Sequence, residues 1–375
     1  MKFITTMSQN QLDTYFNKQN IIALANLALT TPPPHITAHI ARYSEGGPHD
    51  FYSNGDFWWP NPDTPDGLPY VQRDGETNPG NFTAHRISMR VMRTSVAHLA
   101  AAYHITGDEK YAAGAVEFLH TFFLNPETKM NPHLLYAQAI PGVCHGRGIG
   151  IIDTLHLADV PVAIERLKNS HALTPCVLDG LRQWFADYLA WITTHQQGID
   201  EMNHPNNHGV CWNVQAAMFA KFTGNEEIMD LCRRRYKEVY LPGQMKADGT
   251  FPEELRRTKP YNYSCFVVDN MVNICQILST EDDNLWEFTL SDGRGIKAAV
   301  DYIVPYIVNI DEWPHHKDVM YFDEFPAAFP FLVFAGMAYG NDEYFRLWAE
   351  LNEKPQGEEL RRNIAIRQVY NWVVP

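Results

Sequence analysis

Residues 103–111 read Tyr103-His104-Ile105-Thr106-Gly107-Asp108-Glu109-Lys110-Tyr111. The stretch separates two helical patterns. Before it, Ile87, Val91, Ser95, His98 and Ala102 fall on one stripe of a helix over residues 85–103. A glycine at 107 adopts the left-handed conformation that closes a helix. An aspartate at 108 accepts the backbone N–H groups that open the next one. The same punctuation returns in Phe222-Thr223-Gly224-Asn225-Glu226-Glu227-Ile228 and in Tyr339-Gly340-Asn341-Asp342-Glu343-Tyr344, at nearly equal intervals. Each marks a helix, a tight turn and a second helix, an αα-hairpin. Repeated hairpins close most simply by curling into a ring whose inner helices line a cleft. The expected fold is all-α, a single α/α toroid over residues 1–375.

Outward from these turns the pattern holds with two interruptions. Residues 12–29 are amphipathic and end at Thr31-Pro32-Pro33-Pro34. Residues 46–81 are rich in Pro, Gly, Asp and Asn, and carry Phe57, Trp58, Trp59 and Tyr70. A loop of this length in a compact chain is functional or disordered. Its aromatic residues argue for order, and it is read as a lid or active-site loop. Strand signals are sparse. Residues 300–310 are β-branched, but the pattern around Pro305 permits a helix. No linker composition divides the chain, so a two-domain helical protein is the weaker alternative.

Composition bounds the function. The chain of 375 residues is 45% hydrophobic and 20% charged, enough to bury a large core and unlike a disordered chain. A net charge of −14 lacks the basic footprint of a nucleic-acid binder. It also repels anionic substrates, so an enzyme for one must gather its cations locally. Aromatic residues make up 13% of the chain; such rings stack on sugar faces or fill a core. Cys144, Cys176, Cys211, Cys232, Cys265 and Cys275 form no CxxC pair and read as buried thiols. No apolar run is long enough to span a membrane. Residues 1–11 hold too short an apolar stretch for a signal peptide, so the expectation is a cytoplasmic protein, or a periplasmic or secreted one if a leader has been removed. The expected state is a monomer or small homo-oligomer without cofactor.

Four clusters carry chemistry. The first is Asn203-His204-Pro205-Asn206-Asn207-His208-Gly209, ahead of an apolar helix. Asn206 or Asn207 suits helix capping. His204 and His208 have a zinc-like spacing, but Pro205 interrupts the helix and no acidic third ligand is adjacent, so no metal is expected. An Asn-His pair can instead present an amide and an imidazole to a ligand. The second cluster, residues 251–264, packs Arg256, Arg257, Lys259, Tyr261 and Tyr263 into a strongly acidic chain. Arginine suits carboxylates because its planar fork forms two parallel charge-assisted bonds. The third is the aromatic loop, where Trp58, Trp59 and Tyr70 stand near Arg73 and suit stacking on a charged sugar. The fourth runs from Gln138 through Gly142 to His145, Gly146, Arg147 and Gly148, where glycines expose both side chains. It lacks the strand–glycine–helix setting of a dinucleotide site.

Together these elements resemble the alginate lyase superfamily, uronate lyases built on an α/α toroid. The carriers are Asp56-Phe57-Trp58-Trp59-Pro60-Asn61-Pro62 with Asp66-Gly67-Leu68-Pro69-Tyr70, Thr128-Lys129-Met130-Asn131-Pro132, and Gln138 and Gly142 with His145-Gly146-Arg147. The most specific are Asn207-His208 and Glu254-Leu255-Arg256-Arg257-Thr258 with Tyr263-Ser264. The resemblance spans roughly residues 50–340. It implies an incomplete toroid of about six or seven helix pairs and a lyase that cleaves alginate, polymannuronate or glucuronan by β-elimination. It also implies that Asn207, His208, Arg257 and Tyr263 converge in the cleft. Arg256 in place of Arg257, and Tyr261 in place of Tyr263, remain open alternatives in the local pattern. Trp58, Trp59, Tyr70, Arg73, Gln138, His145, Arg147, His204, Arg256 and Tyr261 are candidate substrate contacts.

The chemistry matches these residue types. Removing a uronate C5 proton leaves charge on the carboxylate, which Asn207 and Arg257 would neutralise. A neighbouring cation favours a phenolate, so Tyr263 would take the C5 proton or give one to O4. His208 would act as base or as a fixed hydrogen-bond partner. Tyr263 alone serves a syn elimination; His208 as base with Tyr263 as acid serves an anti one. Two other readings compete. A glycoside hydrolase acting on uronate oligosaccharides needs two facing carboxylates, and among Asp153, Glu254, Asp269 and Glu324 no pair stands out. A non-catalytic polyuronate-binding protein would use only the Trp58-Trp59 loop.

Overall fold

The computed structural model describes residues 2–354 and 357–375. The chain is predominantly helical and divides into two compact units, Lys18–Met202, and Met1–Asn17 with Asn203–Pro375.

Helix Ala84–Thr106 is the centre of the first of these units. Met89, Met92, Val96, Leu99 and Ala100 are among its many buried residues, and helices Lys18–Leu29, Glu109–Leu119 and Asp159–Arg166 pack against it. The helix stops at Gly107, which sits at φ 68° and returns its N–H to the Tyr103 carbonyl. The Asp108 side chain then accepts the Lys110 N–H at 3.0 Å and opens helix Glu109–Leu119. In the other unit, Gly224 (φ 73°) with Asn225 and Gly340 (φ 63°) with Asn341 repeat this geometry, the Asn side chains accepting the N–H groups of Ile228 and Glu343. All three turns are thus the helix–Gly–Asx–helix junctions that the sequence announces. A Cβ at Gly107 would meet no atom within 4 Å, so only the backbone conformation penalises a larger residue there. Gly107→Ala is expected to cost about 1 kcal/mol in denaturant unfolding and to leave activity unchanged. A loss of activity at full occupancy of the folded state would contradict a purely local role.

The second unit is built on two helices, Asn207–Thr223 and Pro260–Leu278, that pack on each other. Both are buried on nearly every side. Every residue of Pro260–Leu278 is buried except Tyr263. In Asn207–Thr223 the exceptions are His208, Lys221 and Thr223. Helices Ile296–Val308 and Pro330–Tyr339 cover Pro260–Leu278. The buried Asp269 carboxylate accepts the Phe331 N–H at 2.9 Å at the start of the second of these. The β-branched run near Pro305 is helical, as the pattern permitted, with Pro305 inside Ile296–Val308.

Among the described residues, four short strands depart from the helical pattern. Tyr52–Asn54 pairs in parallel with Tyr136–Ala139, and Trp58–Trp59 pairs antiparallel with Val71–Gln72. Segments of two to four residues hold too few alternations to register as strands in a sequence. Residues 46–81 are therefore not one irregular loop: they contain a small hairpin that carries both tryptophans.

Candidate active site

The first turn of helix Asn207–Thr223 sets one half of the site. Asn206 is its N-cap; its Oδ1 accepts the His208 N–H at 3.1 Å and lies 2.7 Å from His204 Nδ1. The Gln244 side chain donates to the Asn206 carbonyl and steadies the turn. Capping is thus the work of Asn206, which leaves the Asn207 side chain for another partner. That partner is Glu254. Its Oε1 accepts the Asn207 backbone N–H at 2.8 Å, and its Oε2 accepts Asn207 Nδ2 at 2.7 Å. Glu254 is only 1% exposed. Burial pushes its carboxyl above the usual range, against the Asn207 hydrogen bonds and the nearby charges of Arg257 and His208. His208 follows on the same turn, half-buried, its ring centroid 5.0 Å from that of His204.

The other half comes from the short helix Pro252–Leu255 and the start of helix Pro260–Leu278. The Arg257 backbone N–H donates to the Glu254 carbonyl at 3.2 Å, and the Arg257 carbonyl meets His316 Nε2 at 3.1 Å. These bonds aim its guanidinium at Tyr263. Nη2 donates to the Tyr263 hydroxyl at 3.0 Å, and the guanidinium carbon lies 4.3 Å from the ring centroid. Asp318 accepts the backbone N–H groups of Tyr261 and Asn262 at 2.9 and 3.0 Å, fixing the helix start that carries Tyr263.

The neighbouring alternatives sit elsewhere. Arg256 is exposed and pairs with the Glu253 carboxylate. Tyr261 is fully buried among Trp313, Phe322 and Phe325, and its hydroxyl donates to the Tyr306 carbonyl at 3.1 Å. Both its ring and its hydroxyl are committed to these neighbours, which speaks against its reading as a substrate contact. Arg257 and Tyr263, not Arg256 and Tyr261, are the residues that the fold brings together. The acids weighed for hydrolysis fare no better as an open pair: Glu254 is bound to Asn207, and Asp269 is buried against Phe331.

Within Lys18–Met202 the remaining candidates form two aromatic–cation pairs. The Arg73 guanidinium lies 4.9 Å from the Trp59 ring centroid, and Arg147 lies 5.8 Å from that of Trp58. Both tryptophans are half-buried; Trp59 Nε1 donates to the Glu76 carbonyl at 3.0 Å. Gly55 is required for this closeness, because a Cβ there would lie 2.6 Å from Trp58 and 2.7 Å from Arg147. Arg147 is braced by Gln138, donating to its carbonyl at 3.0 Å and to its Oε1 at 3.2 Å. Gln138 holds a positive φ of 50°, a strained value for a residue with a side chain. Its N–H is held by Ser53 Oγ at 2.8 Å and its Nε2 donates to Asp153 at 3.3 Å. Asp153 also accepts from Ser53 and from the buried Arg86, which binds Asp56 as well. Asp153, weighed as a hydrolytic acid, is therefore part of the scaffold beneath Gln138 and Arg147. Tyr70 is half-buried, with its N–H on the Pro141 carbonyl. His145 is exposed, 3.3 Å from the Glu45 carboxylate.

Comparison with known proteins adds an independent line. The family model described as alginate lyase matches residues 36–313. An alginate lyase from Bacteroides ovatus, known from a crystal structure, is 34% identical over 94% of this chain and 92% of that one, with a TM-score of 0.84. A tetrasaccharide complex of alginate lyase A1-III is 15% identical over 90% of this chain and 95% of that one, with a TM-score of 0.58. Alginate lyase A1-III from Sphingomonas species A1 is 13% identical over 93% of this chain and 100% of that one, with a TM-score of 0.55. These last two speak to the fold alone. No curated protein matches the chain. The fold class is that of the alginate lyases, all-α and of the α/α-toroid type.

Proposed function

The chain belongs to the alginate lyase family and is a polysaccharide lyase, and from that premise we propose that it cleaves a polyuronate, alginate or glucuronan, with Asn207, His208, Arg257 and Tyr263 as its catalytic residues. The observation that carries the residue assignment is the Arg257–Tyr263 contact. The helix Pro260–Leu278 buries every side chain but one, and that one meets a guanidinium at its hydroxyl. A core helix with a single accessible phenol is a costly way to place a residue that only packs.

In the reaction the C5–H bond breaks and its electron pair forms the C4=C5 double bond. The C4–O4 bond breaks, and O4 leaves with a proton. Charge builds on the C5 carboxylate as the proton departs, and donors aimed at it lower the barrier. Asn207 and Arg257 supply amide and guanidinium donors for that group. Tyr263 moves a proton at its hydroxyl, and His208 acts as base or as a fixed hydrogen-bond partner. The Trp58–Arg147 and Trp59–Arg73 pairs each offer an aromatic face beside a cation, which suits a uronate ring with its carboxylate. They also answer the charge problem, placing cations locally in a chain of net charge −14.

The test is ultraviolet absorbance on polymannuronate, polyguluronate and glucuronan in parallel. Elimination creates a double bond conjugated to the carboxylate, which absorbs; hydrolysis and simple binding do not. The expected result is rising absorbance on at least one polymer. New reducing ends without absorbance would point to hydrolysis, and no signal on any uronate polymer would overturn the proposal.

A further inference from the structure

Glu254 is a buried acid that the reaction as written does not use. It is 1% exposed, and both of its oxygens are committed to a single residue far away in sequence, Asn207. Simple capping does not explain this, because Asn206 already caps helix Asn207–Thr223. We propose that Glu254 is a positioning residue for catalysis: its carboxylate locks the Asn207 amide in the one orientation that leaves an N–H for the substrate carboxylate. The inference rests on the reading of Asn207 as a neutraliser of that group.

An ionised carboxylate only accepts hydrogen bonds. The amide atom facing Glu254 Oε2 at 2.7 Å is Nδ2, so Asn207 Oδ1 faces away. A flip would set oxygen against oxygen. One Nδ2–H is held by Glu254, and the other is fixed in direction. The bond from Asn207 N to Oε1 ties the backbone of the same residue, so side chain and main chain are set together. Glu254 reaches the second neutralising residue too, since its carbonyl accepts the Arg257 N–H. Asn207, Arg257 and His208 are the groups that act against the burial of this acid, which places it among the proposed catalytic residues rather than in an inert part of the core.

Glu254→Gln tests this. Glutamine has nearly the same shape and keeps an oxygen for the Asn207 N–H, but presents an NH2 group to Asn207 Nδ2. The measurement is a double-mutant cycle with Asn207→Ala, read as kcat/KM by ultraviolet absorbance on the polymer that the wild type cleaves best. Loss of a hydrogen bond to a charged partner costs about 10–100-fold. That loss is expected in the wild-type background, and less than about threefold when Asn207 is already alanine. Equal losses in both backgrounds, or no loss in either, would overturn the proposal. Should Glu254→Gln fail to fold, Glu254→Asp takes its place in the same cycle, keeping the charge but withdrawing it from Nδ2. A second readout does not depend on turnover. The Asn207 side-chain amide protons, assigned by their disappearance in Asn207→Ala, should exchange with solvent slowly in the wild type and faster in Glu254→Gln. Unchanged exchange refutes the positioning role. Absence of any lyase activity in the wild type would instead refute the function proposed above.

Discussion

Tyr263→Phe is expected to lower kcat by about 10²–10⁴-fold, the contribution of a positioned acid or base, with the fold intact. That loss corresponds to about 3–5 kcal/mol of barrier. The substitution removes one oxygen and nothing else. The ring of Tyr263 still supports the Arg257 guanidinium, whose carbon lies 4.3 Å from its centroid. What disappears is the hydroxyl at 3.0 Å from Arg257 Nη2. A guanidinium donating to an oxygen stabilises negative charge on that oxygen, so the pair suits a group that gives and takes a proton. The stability cost is about 1.5–3 kcal/mol, that of one hydrogen bond to a charged partner, and denaturant unfolding checks it. Tyr261→Phe is the control. Its hydroxyl bonds a backbone carbonyl, that of Tyr306, so its removal should reach stability and spare the rate. A Tyr263→Phe enzyme within a few-fold of wild-type turnover would end the assignment.

The two tyrosines show where a sequence stops being legible. Tyr261 and Tyr263 share the same neighbours in the chain, and local pattern separates them only through family resemblance. In the structure one is walled in by Trp313, Phe322 and Phe325 while the other is the single accessible residue of its helix. A helix that buries polar residues such as Asn262, Asp269 and Asn273 along with its apolar ones has no stripe from which its one exposed position could be read. The turns at Gly107, Gly224 and Gly340 lie at the opposite extreme. Their geometry depends on residues within one turn of the glycine, and the sequence alone locates them. Long-range pairings stay hidden for the same reason in reverse. Glu254 meets Asn207, and Arg86 meets Asp153, across many intervening residues with no local sign of either. The strands Tyr52–Asn54 and Tyr136–Ala139 are likewise a non-local pairing of short segments. Gln138 is a further case: a positive φ is signalled by glycine or asparagine, and glutamine gives no such sign.

His208→Ala is expected to cost about 10²–10⁴-fold where the imidazole takes the proton and about 10–100-fold where it only holds the substrate. The role itself is separated by His208→Gln, whose amide makes a hydrogen bond but does not take up a proton. Stereochemistry makes the two outcomes diverge. In mannuronate and glucuronate the C5 hydrogen and O4 lie on the same face of the ring, so one phenol, Tyr263, can take the first proton and return it to the second oxygen. There His208 need only hold the substrate, and His208→Gln should retain activity within about tenfold of wild type, the cost of an altered hydrogen bond of about 1 kcal/mol. In guluronate the hydrogen and O4 lie on opposite faces. A second group must then remove the proton, and His208→Gln should fall as far as His208→Ala. The position of His208 suits both roles. It is accessible in the first turn of a helix buried over most of its length, and its backbone is fixed by Asn206, beside the Asn207 that Glu254 holds. Measuring both variants on polymannuronate, glucuronan and polyguluronate reads the role from the pattern of losses. Near-normal rates for His208→Ala on all three would remove His208 from the mechanism and leave Tyr263 and the two neutralising residues to carry it.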